Sequence, residues 1–297
     1  ASTMNEDALT YRLQRGLDQH DEQMALLVQR VSGTYRKHYF FPEVAGVGLS
    51  YNPFVWKQGM DPRAGMLRIV FGLGTRAVNR VENDYPRIVA LDAPLVKSHG
   101  GIADARRFSQ HDVDLLNLDD NRFHSLSLMQ VIHEGVEARL DLIGVRDEET
   151  SEQMRSTGHA GEDVWILTFD ELLSGTDFTS IMSRMLKDLE KVYQYPIDIE
   201  FTANFNAEGR LQVNLLQCRP FQTKGQKAQV EIPERIPKKR VYIRQEGNFM
   251  GGSISQSLAR IIHIDPKGYT KLTLSEKYDV ARLVGRLNKQ IERREDR

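Results

Sequence analysis

Glu200, Gln217 and Arg219 are the residues whose types and spacing best suit chemistry in this sequence. They lie on the two arms of IDIEFTANF-NAEG-RLQVNLLQCRP. Segments rich in Phe, Leu and Val flank a turn carrying Asn206 and Gly209, the pattern of a β-hairpin. A turn tight around Glu208-Gly209 sets Glu200 opposite Gln217. Side chains alternate faces along a strand, so Gln217 and Arg219 then share a face with Glu200. A carboxylate beside an amide oxygen is a hard donor pair suited to Mg²⁺, which usually keeps substrate phosphates in its remaining positions. A guanidinium next to them supplies forked donors for phosphate oxygens. The same trio also suits an ordinary solvated face, so the hairpin alone leaves both readings open. Cys218, between Gln217 and Arg219, is expected on the opposite face, in the core.

Other clusters carry less. His133-Glu134 with Glu137 imitates part of a zinc-protease helix but lacks the second His at i+4, and reads as the polar side of an amphipathic helix. Gly72 and Gly74 form a lone GxG, which fits a tight strand-to-helix turn as well as proximity to a nucleotide. His159 in TGHAGED reads as a loop residue. The run Pro237 to Arg240 reads as a solvated linker.

Behind these residues the chain alternates apolar runs with turn chemistry. Strands are expected at Met24 to Val31, from Val44, from Met66 and from Arg87, separated by Asn52-Pro53, Asp61-Pro62 and the Gly72/Gly74 pair. From His124 to Gly144 the spacing of Met129, Ile132, Val136, Leu140 and Ile143 predicts one amphipathic helix. Residues 145–163 are charged and loop-like. A strand VWILTF and a helix from about Ser180 to Tyr193 lead into the hairpin. After Pro220 a Lys- and Pro-containing stretch reads as a linker. Beyond it come a strand-like VYIRQ, the pair Gly251-Gly252 and a helix opened by the capping box Thr273-Leu-Ser-Glu276. The expected division is 1–225 for the main domain and 226–297 for a linker and a C-terminal α/β segment.

Composition limits the function classes. The 297 residues are 40% hydrophobic and 27% charged, a profile that argues against disorder. Forty Lys and Arg against 41 Asp and Glu give a net charge of -1, so no global field draws nucleic acid or an acidic membrane. No apolar run approaches the roughly 20 residues of a membrane span. One cysteine and an N-terminus unlike a signal peptide suit a cytoplasmic protein. The abrupt start, without Met, suggests a piece of a longer chain.

The order of MALLVQRV, AGVGLSYNP, an apolar strand closing in FGLG, DIEF at Asp198 to Phe201 and LLQCRP at Leu215 to Pro220 resembles a known family. It is similar, over roughly residues 10–222, to the ATP-grasp nucleotide-binding domain of phosphoenolpyruvate synthase and pyruvate phosphate dikinase, which the rifampin phosphotransferases share. The resemblance implies an α+β ATP-grasp fold, present here as the C-terminal portion of the nucleotide-binding domain with a small C-terminal extension. It implies ATP and Mg²⁺ as ligands, with Glu200 and Gln217 on the metal, Arg219 on the phosphates, Gln29 on the nucleotide and Asp198 near the metal. The parent is expected to be a kinase that phosphorylates a histidine on a mobile domain and then an acceptor such as pyruvate. Its partners would be its own phosphohistidine and acceptor domains, with a homodimer left open. The family's N-terminal half, with a Lys, an Arg and a glycine-rich lid, is not found, so this stretch alone is expected to be inactive. Thr75 stands where the family's GLGE motif has its acid, which favours a nucleotide-sensing module as one alternative. An interaction domain without nucleotide binding is another. Ser98-His99-Gly-Gly-Ile is similar to the family's phosphohistidine segment. It falls inside the nucleotide-binding stretch and lacks the following Gly-Ile-Pro, so it is not read as a phosphocarrier.

Overall fold

In a computed structural model, the described residues are 9, 12–13, 16–21, 26, 28–57, 59–79, 81, 83–97, 100–156, 163–206, 208–221, 236–243, 249–250 and 261–289. The chain divides into two compact units, Ala1–Phe221 and Gln222–Arg297.

The first unit is α+β. Its strands are β1 (Thr34–Arg36), β2 (Tyr39–Phe41), β3 (Val44–Leu49), β4 (Phe54–Val55), β5 (Met66–Val70), β6 (Arg87–Ala90), β7 (Asp112–Asn117), β8 (Arg122–Ser127), β9 (Gly144–Arg146), β10 (Trp165–Leu167), β11 (Ile197–Phe205) and β12 (Leu211–Pro220). A five-stranded antiparallel sheet runs β12-β11-β3-β5-β6, and a four-stranded one runs β1-β2-β7-β8. β9 and β10 form a small antiparallel pair.

Period-two alternation gives the five-stranded sheet two unlike faces. Ile197, Ile199, Phe201 and Ala203 of β11, with Leu67 and Ile69 of β5, point into the main core. Tyr39 and Phe41 of β2, Val113 and Leu115 of β7, and Phe178, Met182 and Leu186 of the helix Phe178–Tyr193 meet them there. On β3 the inward positions 46 and 48 are glycines, because the side chains of Phe201 and Ile199 fill that space. A Cβ on Gly46 would also lie 2.2 Å from the Arg68 carbonyl oxygen, so Gly alone fits. The outward positions Ala45, Val47 and Val70 pack with Ala77 of the short helix Thr75–Val78, which covers one end of the outer face.

Several expected elements differ. Among the described residues of 24–31 no strand forms, and Leu26 and Val28 are exposed. An apolar run this short does not specify a strand without a partner edge, and its Gln29 makes a side-chain contact to β12 instead of ladder bonds. The expected helix from His124 to Gly144 is a strand end followed by two short helices, Leu128–His133 and Leu140–Ile143. Ser127 caps the first, accepting a bond from the Gln130 amide at 3.2 Å. Gly135 at φ +67° ends it in a Schellman motif: the Gly135 amide donates to Ile132 O and the Val136 amide to Val131 O. Of the residues whose spacing imitates one helix, Val136 and Ile143 are buried in the core and Ile132 and Leu140 pack against it.

Residues expected as loop hold the helix Glu148–Ser156, anchored at Asp147, which accepts from the Thr150 hydroxyl at 2.7 Å. In the second unit the Pro237 to Arg240 run is a turn of 3-10 helix over Lys238–Arg240 with exposed side chains, and Val241, Tyr242 and Ile243 form no strand. The capping box is formed: the Thr273 amide donates to Glu276 Oε2 at 2.8 Å, and the Glu276 amide to Thr273 Oγ1 at 3.4 Å, opening the helix Leu274–Lys289. The linker 222–235, Gly251-Gly252, Ser98-His99 and His159 lie outside the described residues.

Candidate functional site

The hairpin β11–β12 pairs Glu200 with Gln217 and Asp198 with Arg219. The reason differs from a simple two-residue turn. The strands close at Phe205 and Leu211 around a wider loop, in which the Asn206 amide donates to Arg210 O at 3.0 Å and Gly209 adopts φ +73°. That loop alone would put Gln217 one position out of register with Glu200. A β-bulge restores the pairing, since Phe201 faces Leu215, Glu200 faces Gln217, and Leu216 is the extra residue. The bulge also exchanges the faces of β12. Val213 before it and Cys218 after it both pack on the core, while Gln217 and Arg219 turn outward. Burial pushes the Cys218 thiol up, a hydrogen bond from Tyr193 opposing it.

Directly opposed residues of antiparallel strands share a face. Glu200 is opposed on its other side by Val47, and Val47 by Arg68 of β5. One row therefore crosses four strands on the outer face: Gln217, Glu200, Val47, Arg68. The neighbouring row carries Arg219, Asp198, Leu49 and Met66.

Asp198 is 8% exposed. Its Oδ2 accepts from Arg219 Nε at 2.9 Å, and its Oδ1 is buried without a partner. The terminal nitrogens of Arg219, whose side chain is 55% exposed, bond no described residue, so the guanidinium keeps donors to spare. Glu200 is half-buried, and neither its carboxylate nor the Gln217 amide bonds another described side chain. Gln29 comes to the same hairpin: its Nε2 donates to the carbonyl of the bulge residue Leu216 at 3.0 Å. Three residues on, Ser32 Oγ accepts from Asn214 Nδ2 at 2.8 Å and Asn204 Nδ2 at 3.2 Å, pinning this segment to the hairpin. All five residues singled out from the sequence thus lie on or against one hairpin.

The donors fit a hard divalent cation. They are oxygens only, and one buried carboxylate oxygen lacks a partner. Among the described residues no group of three His, Cys, Asp or Glu could hold a metal unaided.

The other candidates are structural. Glu134 accepts from Tyr39 Oη at 2.5 Å and from Gln130 Nε2 at 3.2 Å, and these bonds hold its carboxyl below the ordinary range. Gly72, at φ +95°, leaves 2.6 Å between a would-be Cβ and Asp114 O, so the GxG is a tight turn against β7. Thr75 donates its hydroxyl to the Asp114 carboxylate. Arg76 binds the same carboxylate at 3.0 Å and reaches Asp84 and Ser125. Asp114 and Arg68 are the residues sequence reasoning missed. The alternation of Asp112 and Asp114 with Val113 and Leu115 marks a strand, but Arg68 had no signal, because only the register shows what it faces.

The sequence matches the pyruvate phosphate dikinase AMP/ATP-binding domain family over residues 1–240. The chain belongs to that family. ATP is therefore its expected ligand, and the family's proteins are phosphotransferases. No curated protein matches the chain closely enough to add a relative. Among the described residues no helix is long and apolar enough to cross a membrane.

Proposed function

We propose that the chain binds MgATP on the outer face of its five-stranded sheet, in the ATP-grasp manner. It would serve as the nucleotide-binding part of a phosphoenolpyruvate synthase-like phosphotransferase. The supporting observation is the pairing of Glu200 with Gln217 and of Asp198 with Arg219 on one face, with Asp198 Oδ1 buried and unpartnered. Glu200 and the Gln217 amide oxygen would hold Mg²⁺. Asp198 orients the Arg219 fork toward phosphate, and Gln29 closes the hairpin edge beside the nucleotide. The metal, when bound, would neutralise charge on the phosphate oxygens. Transfer of a phosphoryl group depends mainly on positioning and charge neutralisation, which these side chains supply without covalent chemistry of their own. The receiving group would be a histidine on a mobile domain of the same protein, and then an acceptor such as pyruvate.

Calorimetry of the full-length protein tests this reading. MgATP should bind, and Glu200→Gln should weaken it while leaving the melting temperature in place. Equal affinity in the two proteins would contradict it. A second reading, ATP sensing without transfer, is favoured by Thr75, which brings no carboxylate of its own and is bonded to Asp114. Isotope exchange between ATP and a phosphoenzyme separates the two: exchange supports transfer, and binding without exchange supports sensing.

A further inference from the structure

We propose that Arg68, on β5, is a phosphate-binding residue of the same nucleotide site, reaching the phosphate chain from the side opposite Arg219. The inference rests on the MgATP reading of the hairpin. Three observations support it. The first is register. Arg68 opposes Val47, which opposes Glu200, so the guanidinium and the carboxylate flank one small side chain on a single face. Their backbones are two strand spacings apart, about 10 Å, a gap that long side chains and a bound polyphosphate can bridge.

The second is the contrast with three other arginines of the unit that are withdrawn from water. Arg87 gives its guanidinium to the carbonyls of Thr168, Ile88 and Pro94 at 3.2, 2.8 and 3.1 Å, and lies 3.8 Å from Asp170. Arg36 binds the carbonyls of Glu137 and Phe41, each at 2.8 Å, and the Glu43 carboxylate. Arg76 is ringed by Asp84, Asp112, Asp114 and Ser125. Arg68 is half-buried and has no hydrogen bond or ion pair with any described residue. Burial holds its guanidinium below the usual arginine range. None of its nitrogens is among the fully buried atoms without a partner, so the half-buried fork stays open to solvent and to a ligand, with its donors unspent on the protein's own described groups.

The third is charge balance on the face. Asp198 is matched by Arg219, while Glu200 lies across one residue from Arg68 with no hydrogen bond or ion pair between them. A bare carboxylate and a bare guanidinium held apart on one row would be filled by a cation on the first and an anion on the second. A metal–phosphate group is both. An arginine is suited to the anionic part, because its planar fork takes two phosphate oxygens at once.

The test compares Arg68→Gln and Arg68→Lys with the unaltered full-length protein, and with Glu200→Gln, by calorimetry with MgATP and with adenosine. The expected result for Arg68→Gln is an affinity for MgATP lowered about 10- to 100-fold, with adenosine binding unchanged. Arg68→Lys should recover part of the loss. The melting temperature of Arg68→Gln should hold or rise, since an unmatched cation has been removed. A lowered melting temperature with an unchanged ratio of MgATP to adenosine affinity would make Arg68 a structural anchor and overturn the proposal. If Glu200→Gln weakens MgATP and Arg68→Gln does not, the hairpin reading stands and only Arg68 falls. If the unaltered protein binds neither ligand, both fall together.

Discussion

Two charged constellations in the first unit are built from the same residue types and differ in what is left over. Around Arg76, the carboxylates of Asp84 and Asp114 are buried, and the guanidinium bonds both, together with Ser125. The Asp114 carboxylate also takes the Thr75 hydroxyl, and Asp84 Oδ1 takes the His111 amide at 2.6 Å. That cluster is saturated and ties the short helix Thr75–Val78 to β7. On the outer face of the five-stranded sheet, Asp198 meets Arg219 by one bond, one Asp198 oxygen is buried alone, and Glu200, Gln217 and Arg68 bond no other described side chain. Counting charged residues would rank the Arg76 cluster first as a site. Counting unused donors and acceptors ranks the hairpin first, and unused capacity is what a ligand needs.

The strongest way to break this contrast is Arg76→Met. It should destabilise the chain by about 3–5 kcal/mol, because buried carboxylates lose their cation. Urea unfolding reads it, and a loss under about 1 kcal/mol would show that the cluster is not a structural knot. Glu200→Gln should do the reverse, with stability kept and MgATP affinity down about 10- to 100-fold in the full-length protein. A melting curve beside a titration measures both.

Asp147 sharpens the comparison from a third place. It is 1% exposed and is held by Arg106 at 2.7 and 3.0 Å and by Thr150. The Arg106 bonds, against the cost of burial, bring its carboxyl down to about 2. A carboxyl depressed on folding contributes stability that is present above its unfolded value of about 4 and lost as pH falls toward about 2. Asp147→Asn should cost about 1–2 kcal/mol at pH 7, and the gap from the unaltered protein should close between pH 4 and 2. A gap constant with pH would mean the carboxylate charge is not what stabilises. Gln217→Ala is the mildest test. An amide oxygen can be replaced by water, so MgATP affinity should fall less than tenfold.

The hairpin was legible because both arms and the turn residues are local in sequence. Its register was reached through the wrong loop. A two-residue turn and the observed wider loop with a bulge at Leu216 pair Glu200 with the same Gln217, and only coordinates distinguish them. Strands β3, β5 and β6 were legible from continuous apolar runs bounded by Gly and Pro. The stretch from His124 to Gly144 was misread, because residues on a strand end and two capped helices can present apolar side chains to one core at helix-like spacing. Helix Glu148–Ser156 was hidden by its charge, since caps and ion pairs hold it where an apolar stripe does not. Arg68 could not be found from sequence at all. Its meaning lies in facing Glu200 across Val47, and that cross-strand relation spans distant parts of the chain.

The most direct measurement of the central claim is the anomalous scattering of Mn²⁺, substituted for Mg²⁺, in crystals of the full-length protein grown with a non-hydrolysable ATP analogue. The account predicts one peak within about 2.0–2.3 Å of a Glu200 carboxylate oxygen and the Gln217 amide oxygen, with analogue phosphates completing its shell. A peak at the Asp84, Asp112 and Asp114 carboxylates, or bound analogue with no metal at the hairpin, would contradict it.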